Sequence, residues 1–195
     1  SAINYAIKKG VTILAASGND GQKLTTTNFM APGSYGNQYA GMMNVGSLNS
    51  ADSSISYFSN YSSSMVELGA PGAEKASSGR GLLSTYPGNK YIRAMGTSMA
   101  TPVAAGGAAM AISLLRQRGY SPSPATVEAV LEVSSRNLSA LQSKIRDGRA
   151  MNLRMLADFI QKTYPPTSGA VDPGVPGHDA CAVATARDLK ADATL

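Results

Sequence analysis

The stretch AMGTSMATPVAAGGAAM, Ala94 to Met110, decides how this chain is read. One serine, Ser98, stands just ahead of a run of alanines and glycines. Pro102 is tolerated only in the first turn of a helix, because its ring removes an N–H and clashes one turn back. A helix must therefore begin close to Ser98, and the apolar pattern carries it from about Thr97 to Arg118. Gly106 and Gly107 weaken a helix relative to alanine. A pair of them here predicts close approach by neighbouring backbone, hence a central, buried helix. A hydroxyl in the first turn sits among unpaired N–H groups at the positive end of the helix dipole. Two readings follow: a plain N-cap serine, or a nucleophile whose developing negative charge the helix end favours.

Upstream, LLSTY (82–86) and KYIRA (90–94) flank PGN and predict a hairpin. MVELGAPG (65–72) reads as a strand ending in a turn, and MNVGSL (43–48) as another strand. Loop and short strand are expected from Ser53 to Ser64. VTILAA (11–16) is a continuous apolar run rich in β-branched residues, which suits a strand buried on both faces of a parallel sheet. Ile3, Ala6 and Ile7 have helical spacing between Ala2 and Lys9. Residues 22–41 are polar, with a turn at Pro32–Gly33.

Downstream, Pro124 suits the first position of a helix from Ser123 to Ser134, with Val127, Val130 and Leu131 on its apolar face. A last helix is expected over Met151–Lys162, with Leu153, Leu156, Ala157 and Ile160 on one side. Strands alternating with helices predict an α/β layered fold with a parallel sheet. This globular part spans residues 1–162. After Tyr164, PPTSGAVDPGVPGHDA has proline and glycine without period, so 163–195 reads as a tail or linker.

Composition narrows the function classes. Of 195 residues, 43% are hydrophobic and 15% charged, which supplies an ordinary core and a lightly charged surface rather than disorder. The net charge is +5, but the basic residues are scattered over Lys8, Lys9, Arg116, Arg118, Lys144, Arg146, Arg149 and Arg154. No aromatic residues interleave them, so nucleic acid is not an expected partner. No unbroken apolar run approaches the roughly 18 residues of a membrane span, so no membrane partner is expected. Cys181 is the single cysteine and can make no bridge within the chain. No acidic cluster has the spacing of a calcium loop or another metal site.

A serine nucleophile needs a general base and donors for the oxyanion. The backbone N–H of Ser98 is one candidate donor. Asn19, in AASGNDG, is another: it follows a strand whose C-terminal edge is where α/β folds place ligands, and its amide donates without carrying charge. Taken singly, Asn19 also reads as an ordinary turn residue before Asp20–Gly21.

AASGNDG, FSNYSSSMVELGAPG and GTSMATP together resemble three signatures of the subtilisin-like serine proteases, the subtilases. The resemblance runs from about Ser1 to Ile160, and GTSMATP is its most specific part. It implies a three-layer subtilisin-like α/β fold with a parallel sheet, of which this chain is the C-terminal half. It further implies that Ser98 is the nucleophile and Asn19 the oxyanion-hole side chain. Ala16, Ser17 and Gly18 would line one wall of the pocket for the residue before the scissile bond. Met30 falls near the pocket floor, where relatives often have glycine. A methionine there implies a shallower pocket for small or medium apolar residues, although it is equally readable as core filling. Val103 stands where the family usually has a histidine that is not its catalytic base. Relatives often carry structural calcium, yet the sequence offers no place for one; the chemistry itself requires no cofactor.

In subtilisins the triad's aspartate and histidine precede the serine. No histidine lies between Ser1 and Thr97, and the only one in the chain is His178. The expected partner is therefore an N-terminal fragment of the same protease carrying the Asp and His, docked to this chain and acting with it on peptide or protein substrates. Half of a parallel sheet would otherwise expose an apolar strand edge. Two rivals remain. One is a catalytically inactive subtilase-like binding domain. The other is an α/β-hydrolase esterase in which GTSMA approximates a nucleophile elbow, with His178 as base and Asp158 as the orienting acid. A histidine in a Pro/Gly tail is a poor mount for a group that must be held to within about 0.5 Å. The resemblance and the lightly charged surface imply a secreted or otherwise extracytoplasmic protein.

Overall fold

The computed structural model describes residues 1–49, 51, 53–74 and 81–167. His178, Cys181 and the rest of the expected tail beyond Thr167 lie outside the described residues. The chain opens with helix α1 (Ala2–Lys8), capped by the Ser1 hydroxyl, which accepts from the Asn4 N–H. Strand β1 (Ile13–Ala16) follows, then a 3₁₀ turn (Gly33–Gln38) and strands β2 (Met42–Leu48) and β3 (Leu68–Pro71). The hairpin β4 (Leu82–Tyr86) and β5 (Lys90–Ala94) leads into α2 (Thr97–Gln117). Helix α3 (Pro124–Val133), the short strands β6 (Arg136–Asn137) and β7 (Arg149–Ala150), and α4 (Leu153–Thr163) complete it.

The sheet order is β1-β2-β3-β7-β6. β1, β2, β3 and β7 run parallel, with Ile13 opposite Met42, Val45 opposite Leu68 and Gly69 opposite Ala150; β6 is antiparallel to β7. This is the mixed α/β architecture with a mostly parallel sheet that the sequence implied. Helix α2 lies across β1, β2 and β3, with α3 and α4 packed alongside it. The core on this face joins Met43 and Val45 of β2, Leu68 and Ala70 of β3, and Ala100, Ala104, Ala108, Ala111 and Leu115 of α2 to Leu131, Leu156 and Ile160. A second cluster of Leu24, Leu48, Val66, Leu141 and Ile145 covers the opposite face. Burying a Leu such as Leu115 contributes roughly 1.5–3 kcal/mol. Helix α3 starts as expected, with Pro124 in its first turn and the Ser123 hydroxyl accepting from the Thr126 N–H at 3.1 Å.

Several expectations need correction. β1 is the edge strand, and Ile13, Leu14 and Ala16 are half-buried; the strand buried throughout is β2. Of the two helix glycines, Gly107 marks a close approach, but by side chains and not by the backbone expected: a Cβ there would stand 2.9 Å from Met151 Sδ and 3.3 Å from Leu153. Gly106 meets nothing within 4 Å. It lies with Pro102, Ala105 and Ala109 on a face that is exposed among the described residues, so α2 is central without being buried all round. By length and composition α2 is also apolar enough to cross a membrane, which counting unbroken apolar runs overlooked. Its serines, threonines and glycines interrupt such runs while adding little polarity, and here its alanine stripe packs on the sheet. The 3₁₀ turn, β6 and β7 are too short for periodicity to reveal.

Below the second core cluster lies a buried acid. Glu67 is fully buried; its Oε2 accepts from the Asn44 N–H at 2.7 Å and its Oε1 from Arg146 at 3.0 Å. Arg149 pairs with Glu132 at 2.6 Å and with Asp147 at 2.7 Å. Burial pushes the Glu67 carboxyl from an ordinary 4.5 up to about 7, against the opposing pull of the Asn44 N–H and Arg146. Between those two values the folded protein holds a proton that the unfolded chain has released. Stability contributed by Glu67 is therefore complete below pH 4.5 and is lost as pH rises through about 7. Burial raises Glu128 and Glu132 in the same sense. Thermal unfolding followed from pH 5 to 8 should show a midpoint that declines with pH, and Glu67→Gln should flatten that decline. An unchanged slope in the variant would remove Glu67 as its source.

Candidate active site

The site forms where two chain ends meet. β1 delivers Ser17–Asp20 at the C-terminal edge of the parallel sheet, and the β5–α2 junction delivers Gly96–Ser98 beside it. Gly96 caps the helix with φ 144°, a conformation open to glycine and strained for other residues. Its N–H donates to the Gly72 carbonyl at 2.9 Å, tying the junction to the end of β3. Its own carbonyl accepts from the N–H groups of Met99 and Ala100, at 3.0 and 3.1 Å. The Ser98 N–H is thus a first-turn donor with no helix carbonyl ahead of it. Ser98 is exposed, whereas its neighbour Thr97 is fully buried.

Thr97 joins the two ends. Its N–H and its hydroxyl both donate to Asn19 Oδ1, each at 2.9 Å, across 78 residues of sequence. A backbone N–H can only donate, so the atom facing it must be the amide oxygen. The Asn19 NH₂ is then the outward end of an exposed side chain, beside the serine-bearing turn. The arrangement offers two uncharged donors, the Asn19 amide and the Ser98 N–H, next to an accessible hydroxyl. Such donors stabilise the oxyanion of an acyl-transfer intermediate.

The expected pocket residues fall as follows. Ala16 is half-buried at the end of β1. Ser17 is fully buried, and its hydroxyl donates to the Asn60 carbonyl at 3.0 Å, so it presents backbone rather than side chain to the site. Gly18 has φ 99°, and a Cβ built on it would stand 2.9 Å from the tip of Met30. Met30 therefore lies against the strand-end wall although it is 12 residues further along the chain. Among the described residues, no group of three or more His, Cys, Asp and Glu side chains is placed to hold a metal ion.

Residues 1–152 match the sequence profile of the subtilase family. The chain belongs to the subtilase family. This subtilase is 36% identical over 148 residues to thermitase of Thermoactinomyces vulgaris, covering 76% of this chain and 45% of thermitase. It is 40% identical over 113 residues to a thermophilic serine proteinase of Bacillus sp. (strain AK1), covering 58% of this chain and 24% of that one. Among solved structures, it superposes on a lanthipeptide protease with a TM-score of 0.70 at 27% identity, covering 82% of this chain and 54% of the other. The prenylagaramide maturation protease PagA gives 0.67 at 28% identity, with 83% and 54% covered. The subtilase chain thus spans about half, or less, of the relatives it matches.

Sequence reasoning singled out Ser98 and Asn19 but assigned nothing to Thr97, although it stands inside GTSMATP. Its part depends on a contact with a residue 78 positions away, which local sequence does not encode. Gly96→Ala tests the junction. Alanine at φ 144° is strained, and its Cβ would stand 3.6 Å from Asn19 Nδ2. The variant should lose about 1–3 kcal/mol in denaturant unfolding; wild-type stability would contradict the strain.

Proposed function

We propose that this subtilase is the nucleophile-bearing part of a serine endopeptidase whose triad aspartate and histidine come from an N-terminal segment not in this chain. The observation that carries the reading is the pair of hydrogen bonds from Thr97 to Asn19 Oδ1, which aim an amide donor outward beside Ser98. The histidine of the other segment accepts the Ser98 hydroxyl proton as Oγ attacks the scissile carbonyl carbon. The oxyanion is held by Asn19 Nδ2 and the Ser98 N–H. The imidazolium returns its proton to the leaving amine, and an acyl ester remains on Ser98. Water, deprotonated by the same histidine, then releases the acid and restores the serine. No cofactor enters these steps.

Two surfaces support docking of the other segment. β1 is the edge of the parallel sheet, and α2 shows an apolar face of Pro102, Ala105, Gly106 and Ala109 to solvent. A partner that extends the sheet past β1 and covers this face would remove both liabilities. Intact orientation of Asn19 argues against a decayed, purely binding domain. His178 lies outside the described residues, and its Pro/Gly-rich surroundings are a poor mount for a base that must be held to within about 0.5 Å. The substrates in this reading are extended peptide segments, and an extracytoplasmic reaction is part of the same proposal, supported by the family resemblance alone.

A fluorophosphonate probe tests the assignment. Co-expressed with the Asp- and His-bearing segment of its own protein, the chain should be labelled at Ser98 and cleave peptides; Ser98→Ala should abolish both, and His178→Ala neither. A stable complex of the two segments with neither labelling nor cleavage would favour the binding domain. The position of Met30 against Gly18 gives a second test. Met30→Gly should raise kcat/KM for a large aromatic residue before the scissile bond by about 10-fold relative to alanine. An unaltered preference would return Met30 to a packing role.

A further inference from the structure

The FSNYSSS segment contains a buried side chain that the site described so far does not use. Asn60 is 1% exposed, and its side chain spends its whole hydrogen-bonding capacity on the loop that carries Asn19. Its Oδ1 accepts from the N–H groups of Asp20 at 3.1 Å and Gln22 at 2.9 Å. Its Nδ2 donates to the Ser17 carbonyl at 3.0 Å and to Asp20 Oδ2 at 3.1 Å. The Asn60 backbone adds its N–H to the Gly18 carbonyl at 2.9 Å and receives the Ser17 hydroxyl at 3.0 Å. Contacts thus fall on both sides of Asn19, at Ser17, Gly18, Asp20 and Gln22. Gly18 is held so close that a Cβ there would stand 2.4 Å from Asn60 Nδ2.

That concentration of bonds has a mechanical reason. The loop runs on past the last bond of β1 to β2, from the Ser17 N–H to the Val45 carbonyl, so the β1–β2 ladder does not hold it. A donor that must meet an oxyanion has a tolerance of about 0.5 Å. Thr97 fixes the rotation of the Asn19 amide, but it does not fix the backbone from which that side chain springs. We infer that Asn60 is a positioning residue for the oxyanion hole: its carboxamide sets the path of residues 17–22 so that Thr97 can orient Asn19. A carboxamide suits this place because it presents two acceptor sites and two donors in one plane, and the loop offers two donors and two acceptors to match. Aspartate would keep the two accepted bonds, lose both donated ones and set a second carboxylate against Asp20.

This inference rests on the endopeptidase reading for its effect on rate, and it has a readout that does not. In the complete protease, Asn60→Ala should lower kcat about 30-fold. Loss of the asparagine donor itself costs about 10²–10³ in kcat in subtilisin. Combined with Asn19→Ala, Asn60→Ala should add less than about 3-fold, because a misplaced donor that is already absent has nothing left to lose. The same factor in both backgrounds, or no loss in either, overturns the inference. Amide hydrogen exchange supplies the activity-free arm. The Thr97 N–H, which donates to Asn19 Oδ1, should exchange at least about 10-fold faster in Asn60→Ala, while the Ala108 N–H in the middle of α2 keeps its wild-type rate. Equal acceleration at both sites would make Asn60 a general stabiliser and refute the positioning role. Should Asn60→Ala fail to fold, Asn60→Asp should give the same pattern with a smaller loss. An inactive wild-type complex that still shows selective exchange at Thr97 would sink the peptidase reading while leaving the positioning claim standing.

Discussion

Two hydrogen bonds from Thr97 to the Asn19 carboxamide join the end of an edge strand to the start of the central helix, and the organisation of the site follows from them. An asparagine side chain free in solvent has two equivalent ways to present its amide. A buried threonine removes one of them, because its backbone N–H can only donate and only the amide oxygen can receive it; the hydroxyl then donates to the same oxygen. The NH₂ is left as the presented group. The Ser98 hydroxyl lies one residue beyond the same threonine. The contact that orients the amide therefore also ties its place to that of the Ser98 hydroxyl.

The fold supplies the rigidity this pairing needs. β2 is buried throughout and anchors the sheet, while α2 presses an alanine stripe onto β1, β2 and β3. Small side chains bring the helix axis close to the sheet, so the helix N-terminus arrives beside the C-terminal end of β1. The loop after β3 contributes as well, because the Gly72 carbonyl takes the Gly96 N–H. Three chain segments far apart in sequence thus converge on one junction. Among the described residues, one stripe of α2, with Pro102, Ala105, Gly106 and Ala109, stays exposed.

Polar groups carry an unusual share of the burial on the face away from α2. Glu67, Asn44 and Asn60 are all within about 1% of full burial. Burying such groups is costly unless each is paired, and for Asn60 every donor and acceptor finds a partner. Glu67 and Asn60, paired in this way, specify geometry more sharply than apolar contacts do, since a hydrogen bond tolerates little displacement, whereas the Asn44 Oδ1 is left without a partner. Glu67 does this for the strands, and Asn60 does it for the loop at the sheet edge.

The sequence by itself determined the elements whose signal is local. Pro124 behind Ser123 placed α3, and PGN placed the hairpin, because backbone chemistry at those residues leaves few alternatives; Pro102 pointed only to the neighbourhood of the α2 start, since it stands inside the helix, beyond its first turn. The three signatures also singled out Ser98 and Asn19. Only the tertiary structure decided that β1 is an edge strand, that Gly106 faces open space while Gly107 is packed, and that Met30 lies against Gly18. The same holds for Thr97 and Asn60, whose parts depend on partners 78 and up to 43 residues away. The physical reason is common to all of them. Periodicity and turn chemistry are written in neighbouring residues, whereas burial and hydrogen-bond partnership belong to pairs that meet only when the sheet and the helix have closed on each other.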